Sequence, residues 1–103
     1  MARPTQALSH ADITRHLAGL TGWQRIGEQD DACIEKTFRF PGYDKTMAFV
    51  NAVAVVAQVM DHHPELVVGF NRCTVRYQTH DVRGISHLDF DAAQRVDAVA
   101  TPF

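Results

Sequence analysis

Every residue from Ala52 to Ala57 is alanine or valine, and the run lies inside a stretch, Asp44 to about Met60, that reads as a helix. A helix packed against one core needs only an apolar stripe, so one that is apolar all round is buried on more than one side. A chain of 103 residues has room for one domain, residues 1–103, and a domain of that size buries a modest share of its surface. The second side of the helix is therefore expected to be another copy of the chain. The expectation is a homodimer or homotetramer joined through the helix around Met47–Met60.

The remaining elements follow from periodicity and turn chemistry. Ser9 reads as an N-cap, with Asp12 three residues on and Leu8 able to staple onto Ile13; that helix should run to about Ala18 and stop at Gly19. Trp23 to Ile26 reads as a short strand and Gly27 to Asp31 as a polar turn. From Cys33 to Phe40 the pattern alternates, with Ile34, Phe38 and Phe40 on one face, where Lys36 alone is out of place. Pro41-Gly42 ends the strand, and Asp44 is placed to cap the long helix. Leu66 to Phe70 and Cys73 to Thr79 read as strands joined at Asn71-Arg72. On the second strand Cys73, Val75 and Tyr77 share one face, and Thr74, Arg76, Gln78 and His80 the other. Ser86 to Asp89 is a capping-box opening for a last helix, with Ala92, Ala93, Val96 and Val99 as its buried stripe. The order α-β-β-α-β-β-α predicts an α+β fold, a four-stranded antiparallel sheet with three helices packed on one face.

Composition narrows the function classes. A formal net charge of -2 gives no basic excess, which argues against a nucleic-acid partner bound by phosphate neutralisation. The opening Met1-Ala2-Arg3-Pro4-Thr5-Gln6 lacks the apolar core of a signal peptide, and no apolar run is long enough to cross a bilayer. Cys33 and Cys73 have no metal-like spacing and suggest no disulfide scaffold. A cytoplasmic protein with no membrane partner is expected.

Three of the six histidines fall at junctions between elements. His62 and His63 stand where the long helix ends and Pro64 turns the chain outward, and His80 stands at the end of the last strand. Element ends are where a rigid scaffold presents reactive groups, and a neutral imidazole both donates and accepts a proton near pH 7. The residues alone leave other readings open. A His-His pair at a helix C-terminus complements the helix dipole when protonated. Three histidines are also enough for a catalytic zinc, although adjacent side chains on extended backbone point apart and no HExxH or paired-cysteine spacing is present.

The stretches Asp61-His62-His63-Pro64-Glu65, Phe70-Asn71-Arg72-Cys73-Thr74-Val75 and Thr79-His80-Asp81 resemble the signature of the pterin-4a-carbinolamine dehydratases, and the likeness runs from about Trp23 to Ala100. The resemblance implies a pocket with His62, His63 and His80 as catalytic residues, and no metal or organic cofactor. It implies a pterin substrate, a 4a-hydroxytetrahydropterin, that loses water to give quinonoid dihydropterin in recycling of a tetrahydrobiopterin-type cofactor. On the same footing Asp61, His62, His63, Thr79, His80, Asp81 and Asp89 would bind substrate. His62 and His80 would move protons, His63 would anchor the ring, and Asp81 would orient an imidazole or the ring's polar edge. Asp89 also has a plain role as a helix cap.

The chain departs from the family's pattern in places. Arg83 stands before Gly84 where a small residue is usual, Leu66 replaces an aromatic residue, and Phe70 stands where tyrosine is frequent. Gln58 stands where many members carry an acid one turn before His62, and a neutral amide orients or charges an imidazole more weakly than a carboxylate does. Relatives of this fold also act as accessory or dimerisation partners, one with a transcription factor and others in enzyme assembly. A non-catalytic module of that kind is the alternative, against which the retention of all three histidines speaks.

Overall fold

A computed structural model describes the backbone of residues 3–103 and every side chain there except that of Gln29; Met1 and Ala2, part of the opening segment read above, lie outside the described residues. Helix α1 (His10–Ala18) is capped as its sequence predicts, Ser9 Oγ accepting from the Asp12 N–H at 3.2 Å and Gly19 closing the other end. Leu8 packs against the core that holds Ile13, and its N–H donates to Ile85 O at 2.8 Å, tying the N-terminal segment to the start of the last helix.

Strands β1 (Gln24–Ile26), β2 (Cys33–Arg39), β3 (Glu65–Val68) and β4 (Arg72–Tyr77) form one antiparallel sheet in the order β1-β2-β4-β3. Alternation puts Ile34 and Phe38 of β2 and Cys73, Val75 and Tyr77 of β4 on the buried face. Helices α1, α2 (Tyr43–Met60) and α3 (His87–Ala100) add Ile13, Phe49, Val53, Val56, Phe90, Ala92, Ala93 and Val96 to the same core. Lys36, the apparent misfit of β2, holds its Nζ over the Phe38 ring, 4.8 Å from the centroid. Its ammonium leaves the core to reach Thr21 O at 3.1 Å and Asp97 Oδ1 at 2.9 Å. An inward lysine is thus satisfied by carrying its charged tip to partners at the rim of the core.

Three local expectations are corrected. The N-cap of α2 is Gly42, with no side-chain cap, and Asp44 lies in the first turn, where its charge suits the helix N-terminus; the Thr46 hydroxyl donates to Gly42 O at 2.9 Å or Phe70 O at 3.0 Å, tying the turn to the β3–β4 hairpin. The β3–β4 hairpin turns at Phe70-Asn71, one residue early, because Val68 pairs with Cys73 and the Gly69 N–H donates to Arg72 O. Strand β4 stops at Tyr77, so His80 belongs to a 3₁₀ turn, His80–Val82, pinned by the Thr79–Gly84 bridge.

The all-apolar run of α2 has two environments. Val53, Val56 and Ala57 are buried in the core, while Val55 and Val59, one turn apart, are 63% and 71% exposed. No helix is long and apolar enough to cross a membrane among the described residues.

Candidate active site

Helix α2 ends at Asp61, whose backbone is left-handed (φ 50°, ψ 45°). The Asp61 N–H donates to Gln58 O and the His62 N–H reaches back to Ala57 O at 3.1 Å, the paired bonds of a Schellman motif. Asp tolerates the left-handed region better than most residues. Pro64 then commits the chain to β3, so His62 and His63 leave the helix end in different directions.

His62 turns inward. It stacks on Tyr77 (centroids 5.1 Å apart, planes 23° apart), and its Nε2 lies 2.6 Å from Asp89 Oδ1. Asp89 is wholly buried, and its other oxygen accepts from the Ser86 N–H at 2.9 Å and the Thr79 hydroxyl at 2.8 Å. The capping box therefore does double duty: the carboxylate that caps α3 also holds an imidazole from α2. An ionised carboxylate only accepts, so Nε2 of His62 carries a proton and Nδ1 is the nitrogen left to accept one. His63 turns outward, and its Nε2 lies 2.9 Å from Gln58 Oε1. Gln58 thus serves His63, not the adjacent His62, and as a neutral acceptor.

His80, on the 3₁₀ turn after β4, is exposed, and among the described residues neither of its ring nitrogens has a hydrogen-bond partner. All three imidazoles line one cavity of about 190 Å³, with Asp61, Gln78, Thr79 and Asp81 between them and Arg3 in its wall. His63, Gln78 and His80 also border a second hollow of about 420 Å³ that opens toward Cys33, Glu65 and Arg76. The second hollow falls within the range of small-molecule sites, about 300–1,000 Å³, and the cavity of the three imidazoles adjoins it along His63, Gln78 and His80. In that second hollow Arg76 is gripped by Glu35 at 2.7 Å and Glu65 at 2.9 Å, and these hydrogen bonds raise its hold on its proton further.

Burial and then the charge of Asp89 push the Tyr77 hydroxyl up to about 12, so it stays protonated as it points at His62 O, 3.4 Å away. Asp81 is exposed at the cavity and, among the described residues, orients no imidazole; Asp89 does so for His62. No group of three or more His, Cys, Asp or Glu is placed to hold one metal ion among the described residues. The sequence reading passed over Gln78 and Arg3. Gln78 stands two residues before His80, a proximity in sequence that was a usable signal. For Arg3, whose contact with Asp61 spans 58 positions, there was none.

Comparison with known proteins bears on the family of the chain. The family profile described as pterin 4 alpha carbinolamine dehydratase matches residues 6–99. A Paracidovorax citrulli protein carrying the provisional name pterin-4-alpha-carbinolamine dehydratase is 49% identical over 98 residues, covering 95% of this chain and 84% of its own. One from Bdellovibrio bacteriovorus with the same provisional name is 46% identical, covering 92% and 79%. The crystal structure of a transcriptional coactivator/pterin dehydratase from Brucella melitensis superposes with a TM-score of 0.85 at 29% identity, over 92% of this chain and 99% of that one. A pterin dehydratase-like protein identified as a RuBisCO assembly factor in the alpha-carboxysome gives 0.67 at 25% identity, over 77% and 89%. With the match spanning nearly the whole chain, it belongs to the pterin 4 alpha carbinolamine dehydratase family.

Proposed function

We propose that the protein is a 4a-hydroxytetrahydropterin dehydratase working by histidine acid/base catalysis. The observation that carries the reading is the convergence of three imidazoles, from the end of α2 and the turn after β4, on one cavity. In the reaction the C4a–O bond breaks, the departing hydroxyl takes a proton and leaves as water, and N5 gives up its proton as the C4a–N5 double bond forms. One group must donate and another accept, which an imidazolium and a neutral imidazole do near pH 7, where both forms of histidine are accessible. Only protons are exchanged, so the mechanism calls for no metal or organic cofactor.

The surroundings of each ring support a division of labour. His62 is oriented by Asp89, whose charge stabilises an imidazolium once Nδ1 has taken a proton. His80 has both nitrogens uncommitted among the described residues and is suited to exchange the second proton. His63, held by an amide that lends no charge, is suited to anchor the ring. Asp61, Thr79 and Asp81 line the same cavity as substrate-binding groups, Thr79 by shaping its wall, because its hydroxyl is engaged by Asp89 and its backbone by Gly84 and Val82.

The physiological role we assign is recycling of a tetrahydrobiopterin-type cofactor. Both cysteines are free, which suits a reducing compartment, and on that ground we place the enzyme in the cytoplasm. The exposed Val55 and Val59 support a homodimer or homotetramer through α2, and they equally serve the second reading, an accessory module that docks on another protein. Following dehydration of 4a-hydroxytetrahydropterin by absorbance decides between the two. Turnover by the wild type, lost in His62→Ala and His80→Ala and weakened chiefly in KM in His63→Ala, is expected; full turnover by His62→Ala would refute the mechanism.

A further inference from the structure

We infer that Arg3 is a substrate-binding residue, donating from its guanidinium to the C4 carbonyl oxygen of the pterin; this rests on the dehydratase reading above. Arg3 belongs to the N-terminal segment, which Leu8 anchors by donating its N–H to Ile85 O at 2.8 Å, and it lines the cavity of the three imidazoles. Its Nη1 donates to the carbonyl of Asp61 at 3.1 Å, directly beside His62. The left-handed turn at Asp61 ends the helix there, which leaves that carbonyl outside the helical ladder and free to accept.

The case for the carbonyl comes from what the other cavity side chains have left to offer. Asp61 and Asp81 only accept when ionised and match the donor edge of a pterin, its N3–H and 2-amino group. Gln78 turns its amide nitrogen to Asp30 O at 2.6 Å, and the Thr79 hydroxyl is spent on Asp89. The imidazoles are committed to proton transfer and anchoring. Among the side chains lining the cavity, Arg3 is the one permanent cation, and among the described residues its only hydrogen bond is the one to Asp61. A planar guanidinium with N–H groups to spare suits a carbonyl next to the carbon that loses water.

The test compares the wild type with Arg3→Ala and Arg3→Lys in the absorbance assay and in a fluorescence titration with 7,8-dihydrobiopterin. Arg3→Ala should raise KM and Kd about tenfold, the size of one hydrogen bond to a charged donor, with kcat within about twofold and the melting temperature unchanged. Arg3→Lys should recover part of the loss, and the effect should be the same across neutral pH, unlike that of a histidine variant. Unaltered KM and Kd in Arg3→Ala, or a lower melting temperature as its only change, would overturn the inference. A wild type that binds the dihydropterin without turning over the carbinolamine refutes the dehydratase reading while the Kd comparison still decides Arg3. A wild type that binds no pterin refutes both.

Discussion

Asp89 Oδ1 and His62 Nε2 lie 2.6 Å apart with the carboxylate fully buried, so a group from the first turn of α3 fixes a ring from the end of α2. Asp89→Ala strips His62, Thr79 and the Ser86 N–H of one shared acceptor at once. Each buried donor left without an acceptor costs about 1–3 kcal/mol. Urea unfolding should register a loss of that order, with turnover falling alongside it. Asp89→Asn keeps the shape, but its amide nitrogen must face either His62 or the Ser86 and Thr79 donors, so it should recover stability only in part. An Asp89→Asn protein as stable and active as the wild type would show that the charge at this point is dispensable.

Arg83 is held at φ 53°, ψ 53°, a left-handed conformation that costs most side chains about 1–2 kcal/mol, and it stands beside Gly84 in the turn that carries His80. Arg83→Gly removes the steric penalty and adds chain entropy to the unfolded state, so a net gain of about 0.5–1 kcal/mol is expected in a urea titration. Since the Arg83 N–H still donates to His80 O, turnover should be kept.

Burial pushes the Cys73 thiol up to about 11. The folded chain therefore keeps this proton in a range where the unfolded chain, with an ordinary thiol near 9.0, releases it. Unfolding there gives off a proton, so stability declines as the pH rises from about 9 through about 11, and Tyr77 extends the decline toward about 12. Urea midpoints measured near neutrality and at about pH 10.5 should differ in that direction. In mildly alkaline buffer an alkylating reagent should reach the half-buried Cys33 before Cys73, whose modification should await denaturant.

Val55→Glu with Val59→Glu places two charges on the apolar flank of α2 without touching the core residues Val53 and Val56. The light-scattering mass should fall to that of a single chain while the circular dichroism spectrum is retained. A wild type that is already a monomer at micromolar concentration would remove α2 as a self-association surface.

The parts of the fold legible in the sequence are those with local physical causes. Ser9 and Ser86 announce helix starts because a side-chain acceptor there meets an orphan N–H three residues away. The alternation of Cys73, Val75 and Tyr77 marks a buried face because the pleat has a period of two. The three histidines stood out because each lies at an element end. What could not be read depended on distant neighbours. The misfit of Lys36 is resolved only by Asp97, and Gln58 is one turn from His62 along the helix yet bonds His63, because the Schellman turn swings the chain. Asp89 is visible as a cap, but its second employment needs β4 and α2 beside it.

The His62 N–H closes the final turn of α2 onto Ala57, and on the opposite flank of that turn Val55 and Val59 face outward. Unwinding the helix by even one turn would carry the imidazole away from its carboxylate. A partner seated on the outer flank of α2 would therefore also steady the geometry of His62, and loosening that contact by dilution would be felt in turnover before it was felt in folding.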